Sequence, residues 1–317
     1  MPQYMPKGQI NILGGDGGSG KTTVWCALAA AVSSGNQVFL DETPADFAQC
    51  DPQKVLFFSS EDSIEYTLKA RLRKAGANLE NIFSVSLRDE MFSRIKFNSQ
   101  LLKDLIEQTK PALVIFDPIQ AFIPSDIQMG KRNAMRNCLN PLIGLGEEYG
   151  TTFLIIVHTN KRQGVYGRNR IADSADVWDI ARSVMIVGET QDGVRYISHE
   201  KSNYGEPGKT VLFSIVDAVA KMEGYTNKKD RDYVSERDFN AYQAPQRADA
   251  EQFIFNYLKN GKKPTAELDE AAKAAGISKN TLSRAKTRLR SRGLLGGKSE
   301  GFGNNKAYYS YLIDKSL

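Results

Sequence analysis

"GGDGGSGKTT" (Gly14–Thr23) carries G-x-x-x-x-G-K-T at Gly15, Gly20, Lys21 and Thr22. The apolar run "QINILGG" (Gln9–Gly15) leads into it and a helix-forming run follows, which is the context a phosphate-binding loop requires. Glycines permit backbone angles that aim successive N–H groups inward, and a helix N-terminus adds positive potential. Gly15, Asp16, Gly17, Gly18, Ser19, Gly20, Lys21, Thr22 and Thr23 are therefore the expected nucleotide-binding residues. In such a loop the lysine reaches the β- and γ-phosphates and the Thr22 hydroxyl ligates Mg2+. A glycine-rich turn without a ligand is the plainer alternative, and the strand–loop–helix order argues against it.

Outward from the loop, short apolar runs alternate with amphipathic stretches as far as about Tyr225. "KVLFFSS" (Lys54–Ser60), "IFSVSL" (Ile82–Leu87), "ALVIFD" (Ala112–Asp117) and "TFLIIVH" (Thr152–His158) join the first run as expected buried parallel strands, apolar on both faces. "SVMIVGE" (Ser183–Glu189), "VRYISHE" (Val194–Glu200) and "TVLFSIV" (Thr210–Val216) are closely spaced and alternate more, which predicts an antiparallel extension. Helices fit Lys21–Ser33, Ser63–Ala77, Ser99–Lys110 and roughly Arg132–Tyr149. The pattern predicts an α/β domain with a mostly parallel sheet flanked by helices over residues 1–225. Residues 226–248, dense in charge, read as a linker, and 249–317 as a small second domain.

Two further carboxylates fall where phosphate chemistry needs them. Asp117 closes an apolar strand, the position of a second metal-coordinating group beside the loop, although such an aspartate can also cap a turn. Glu61 follows the strand Val55–Phe58 in "FFSSEDS" and is a candidate general base near a γ-phosphate; Asp62 or Ser63 can cap the helix that begins there.

The phosphate loop, "SSED" after the second strand, a strand ending in Asp117 and a strand ending in "HTNK" together resemble the RecA-like ATPases of the plasmid RepA hexameric helicase family. Wider relatives are the DnaB-type helicases and RecA. The resemblance covers about Gly8 to Val216, including "HEKSNYGEPG" (His199–Gly208). It implies ATP and Mg2+, Glu61 as the catalytic carboxylate, Arg71 stacked on adenine, and His158 as the residue that senses γ-phosphate. It also implies a hexameric ring and a setting in the replication of a plasmid, phage or integrated element. A ring motor takes a positive group from its neighbour, and Arg182 and Lys201 both fit by position. "KRQGVYGRNR" (Lys161–Arg170) corresponds to the loop that grips single-stranded DNA in such motors. Lys161, Arg162, Arg168 and Arg170 can meet phosphates and Tyr166 can stack on a base, though the same composition describes a solvated loop. A DNA-stimulated ATPase without strand separation and an ATP-gated DNA-binding regulator are the competing readings.

Charge is uneven along the 317 residues. From Ala250 onward there are 13 Lys/Arg against 6 Asp/Glu, so the +5 of the whole chain resolves into +7 there and −2 elsewhere. Two amphipathic helices around Gly276 and the glycine-tipped "GLLGGKSEGFGNNKAYYSYL" predict a winged helix-turn-helix; such domains also bind protein, and the charge can be a solvated surface, but the excess of positive charge favours duplex DNA. With Leu282, Ala285 and Leu289 inward, Lys279, Asn280, Ser283, Arg284, Lys286, Thr287 and Arg290 remain for the groove. Cys26, Cys50 and Cys138 have no paired spacing, which fits a reducing cytoplasm, and "MPQYMPKGQI" lacks the apolar core of a signal peptide. No run approaches the roughly 18–20 apolar residues that span a bilayer, so no membrane partner is expected.

Overall fold

A computed structural model describes residues 4–40, 50–127, 133–160, 165–171, 175–300 and 307–313. The chain divides into two compact units, Met1–Ser235 and Glu236–Leu317.

The first unit is built on one sheet of nine strands. These are β1 (Ile10–Gly15), β2 (Val55–Ser59), β3 (Ile82–Ser84), β4 (Leu113–Asp117), β5 (Thr152–His158), β6 (Ser183–Glu189), β7 (Arg195–Ser202), β8 (Thr210–Val216) and β9 (Val219–Thr226). Their order is β3-β2-β4-β5-β1-β6-β7-β8-β9, parallel from β3 through β6 and antiparallel beyond. The helices are α1 (Lys21–Ser34), α2 (Lys69–Lys74), α3 (Glu90–Arg94), α4 (Gln100–Thr109), α5 (Ala134–Tyr149) and α6 (Ala175–Ile180). Side chains alternate between two cores: Leu154 and Ile156 face α1 and α2, whereas Phe153, Ile155 and Val157 face α4, α5 and α6. Covering both faces explains why these strands are apolar without interruption.

Four expectations need correction. β6 runs parallel to β1, not antiparallel; its first six residues are all buried, as in a central strand, because α6 returns the chain to the starting edge. β3 is a partly exposed edge strand of three residues, not a buried one. β9 was not foreseen, because its two-residue turn is Asp217-Ala218, both at positive φ (52° and 64°), without the usual glycine or asparagine signal. The helix expected over Ser63–Ala77 opens as a π-turn (Ile64–Leu68), with Ser63 accepting from the Tyr66 N–H at 3.3 Å, and turns α-helical only at Lys69.

The charged stretch expected as a linker is helical from Asp230: α7 runs Asp230–Leu258 and crosses the division between the units. Its first turn is anchored rather than solvated. Asp230 is wholly buried, Val234 is buried, and the Tyr233 ring stacks on Tyr196 with centroids 4.2 Å apart. Long-range burial overrides a composition that reads as connector.

The second unit contains the end of α7, α8 (Thr265–Ala274), α9 (Lys279–Ser291) and an antiparallel sheet of β10 (Lys263–Pro264), β12 (Ala307–Leu312) and β11 (Leu295–Glu300) in that order. Ala250, Ile254, Leu258, Leu268, Ala272, Leu282, Ala285, Leu289 and Leu295 form its core. Ser278 caps α9 by accepting from the Thr281 N–H at 3.2 Å. The expected glycine tip at 301–306 lies outside the described residues.

Within the first unit His199 is wholly buried. The Gly208 N–H donates to its Nδ1 at 2.8 Å, so the proton sits on Nε2 and is donated to Ser183 Oγ at 3.0 Å. Burial, and then the nearby Lys229 charge, push its pKa from the ordinary 6.5 to about 4. A histidine held neutral in the fold contributes its full stability above pH 6.5 and loses it as pH falls towards 4, because the unfolded chain binds the proton first. Urea unfolding at pH 7 and pH 4.5 is therefore expected to show wild type losing about 2 kcal/mol more than His199→Gln over that interval. Equal losses would mean that His199 does not titrate this way.

Candidate active site

The ends of four parallel strands deliver the site. Register sets Gly15 beside His158 and Ser59 beside Asp117, so the phosphate loop, the Glu61 turn, Asp117 and His158 share one edge of the sheet. The Ser60 N–H donates to the Asp117 carbonyl at 2.9 Å and ties the Glu61 turn to β4.

In the loop, a Cβ on Gly15 would come within 2.7 Å of both Ser19 Oγ and the Val187 carbonyl, and Gly20 has φ 102°. Only glycine fits either position. Among the described residues a Cβ on Gly17 or Gly18 would meet nothing within 4 Å, so the loop has room above it, and the buried Ser19 Oγ has no hydrogen-bond partner. Lys21 is buried, and its Nζ donates to the carbonyls of Gly15 and Asp16, both at 2.9 Å. Burial lowers its pKa, against the raising influence of Asp117, Glu61 and Asp16. Thr22 and Thr23 follow in the first turn of α1. An orphaned hydroxyl, a lysine bonded to its own loop and open space over the glycines together fit an anionic phosphate chain.

Asp117 is buried, and Trp25 Nε1 donates to its Oδ2 at 2.8 Å. Burial raises its pKa to about 6; the Trp25 hydrogen bond opposes that rise and Glu61 adds to it. A buried carboxylate at the end of β4 and the hydroxyl of Thr22 at the start of α1 are the hard oxygen donors a divalent ion takes. These two residues would hold the ion, which supplies charge neutralisation between phosphates.

Glu61 is 54% and His158 38% exposed, and Oε1 and Nε2 lie 3.2 Å apart. Glu61 faces the open side of the site. Arg71 Nη1 lies 3.1 Å from Asp62 Oδ2, so the expected adenine-stacking residue is tethered to the turn that carries Glu61.

The basic residues separate sharply. Lys161 and Arg162 lie outside the described residues. Arg168 is exposed and pairs with Asp179, and the half-buried Tyr166 accepts from Ser235 Oγ at 3.4 Å. Arg170 is 2% exposed and cannot meet DNA here: its Nε and Nη2 donate to Asp230 at 2.9 and 3.3 Å. Burial works against its charge, but Asp230 and Asp16 outweigh that and raise its pKa. Lys201 likewise donates to three carbonyls, of Trp178, Asp179 and Ala181, and so closes the C-terminal end of α6 rather than reaching outward. Arg182 is half-buried. In the second unit Lys279, Asn280, Ser283, Arg284, Thr287 and Arg290 are exposed on α9. Lys286 is buried and pairs with Asp269, because position 286 lies four residues after Leu282 and three before Leu289, at the margin of the apolar stripe.

Thr159, Trp25 and Asp230 were missed. Trp25 was findable, since it lies four residues after Lys21 on the same helix face. Nothing local marks Asp230.

This strand–loop–helix, with its buried lysine and a carboxylate ending a neighbouring parallel strand, defines a RecA-like P-loop ATPase. The chain belongs to the AAA domain family, whose sequence profile matches residues 1–164. It is similar to the DNA repair protein RadA of Bacillus subtilis (23% identity, 66% of this chain and 39% of RadA) and of Listeria monocytogenes (24%, 66% and 40%). RadA of Halalkalibacterium halodurans is 23% identical over 67% of this chain and 40% of its own length. The chain thus spans about two fifths of the length of the curated relatives it matches. Among the described residues no helix is long and apolar enough to cross a membrane.

Proposed function

We propose that the protein is an ATP-dependent DNA motor, a ring-forming replicative helicase that hydrolyses Mg-ATP while translocating on single-stranded DNA. The carrying observation is that the strand ending in His158, beside the phosphate loop, continues directly into the basic segment Lys161–Arg170. In this reading Lys21 neutralises charge on the transferring phosphoryl, Thr22 and Asp117 hold Mg2+, Glu61 takes the proton of the attacking water, and His158 bonds γ-phosphate. The half exposure of Glu61 and His158 supports a site covered by a neighbouring subunit, as in a hexamer, with Arg182 as the positive group donated across the interface. Lys161, Arg162, Arg168 and Tyr166 meet single strands. The second unit, with its helix pair and hairpin, is a winged helix-turn-helix that meets duplex DNA through Lys279, Asn280, Ser283, Arg284, Thr287 and Arg290.

ATP turnover is expected to rise at least about tenfold with single strands and much less with duplex, since the grip is on unpaired backbone. Turnover indifferent to single strands would remove the motor reading. The RadA relatives are named as DNA repair proteins, and a second reading compatible with that is a DNA-stimulated ATPase that does not separate strands. Forked duplex distinguishes the two, because only the helicase unwinds it.

A further inference from the structure

The ends of the basic segment close on each other. Thr159 and Ile171 form an antiparallel bridge and the Asn160 N–H donates to the Arg170 carbonyl at 2.7 Å. Both ends of this stem also hold one residue of the phosphate loop. Thr159 Oγ1 donates to Asp16 Oδ1, and Arg170 Nη2 lies 3.8 Å from Asp16 Oδ2. The Thr159 N–H donates to the Gly15 carbonyl at 3.3 Å. Those contacts fall on Gly15 and Asp16, the two residues whose carbonyls Lys21 Nζ holds. Lys21 and the stem therefore hold the same short piece of chain.

We infer that Thr159 is a positioning residue which, through Asp16, transmits the engagement of Lys21 with a nucleoside triphosphate to the stem of the 160–170 segment. A triphosphate offers Lys21 charged acceptors in place of neutral carbonyls, so the ammonium leaves Gly15 and Asp16. The Asp16 carboxylate then loses a nearby cation and gains anionic neighbours. Thr159 and Arg170 both reach it from the stem, and the stem tightens around it. Arg170 is fixed from behind by Asp230, so the adjustment falls on the stem and not on the arginine. The inference rests on the proposed function only in taking the loop as the triphosphate site; no DNA contact is required.

Hydrogen exchange at the amides of Val165–Ile171 reads this directly, on the full-length protein without DNA, with and without a non-hydrolysable ATP analogue. In wild type the analogue is expected to slow exchange about threefold or more, as stem opening becomes less frequent. In Thr159→Val the slowing falls below half of that while analogue affinity, measured by fluorescence titration, stays within about threefold of wild type. Thr159→Ser restores it. A merely structural role would raise exchange in Thr159→Val equally with and without analogue, leaving the slowing intact, and that result would overturn the inference. So would an absence of slowing in wild type at saturating analogue, a test that holds even if Thr159→Val fails to fold. Failure of wild type to bind the analogue at all would instead strike the nucleotide reading itself.

Discussion

Glu61→Gln is expected to lower ATP turnover by about two to four orders of magnitude while leaving nucleotide affinity within a few fold, because the amide cannot accept the proton of the attacking water. Glutamine keeps the shape of the side chain and can still bond His158 Nε2, now 3.2 Å from Oε1, so loss of rate without loss of binding isolates the proton transfer. Steady-state turnover with saturating single strands, beside equilibrium nucleotide binding, is the measurement. Turnover within tenfold of wild type would mean that Glu61 is not the base. A parallel rise in Kd would mean that its charge serves chiefly to hold the loaded site.

The largest expected effect on stability is at Asp230. Removing it as Asp230→Ala strands the Arg170 guanidinium in an environment where that residue is 2% exposed, and takes the acceptor from the Tyr196 hydroxyl, which donates at 2.9 Å. Breaking a buried pair by deleting one partner costs about 3–5 kcal/mol, since the remaining charge cannot be resolvated. For a unit of this size that lowers Tm by about 10 °C, readable by calorimetry. A cost under about 1 kcal/mol would show the pair behaving as an exposed ion pair does. Asp230→Asn should fall between the two, keeping an acceptor for Nε but no charge.

The sheet and the phosphate chemistry were legible in the sequence because their signals are local. Glycine spacing marks the loop, uninterrupted apolar runs mark strands covered on both faces, and Asp117 and His158 mark strand ends. What remained hidden depends on partners far along the chain. Arg168 and Arg170 look alike in "GRNR", yet one stays at the surface and the other is drawn inside by a carboxylate sixty residues later. Lys286 sits among exposed basic residues in the sequence, but its ammonium turns to Asp269 on the neighbouring helix. Lys201 reads as mobile positive charge until the carbonyl ends of α6 take all its donors. The stretch from 226 to 248 shows the converse: charge density suggested solvation, but a few buried side chains at one end were enough to start a helix. Pattern shows which residue types are present, and only the fold shows which charges have been spent.

The position of β1 also shapes how the molecule comes into being. This strand is buried along its whole length, and its neighbours in the sheet are β5 and β6. During synthesis it is made before either neighbour and waits, unpaired and apolar, until β5 (Thr152–His158) has followed. Contacts this distant in sequence close slowly, and the waiting strand is exposed to wrong pairings meanwhile. The loop beside it is complete by Thr23, but the edge that gives it chemical meaning exists only once His158 has arrived. Nucleotide recognition thus has to wait for β5, although the signature of the loop is complete well before that strand is made.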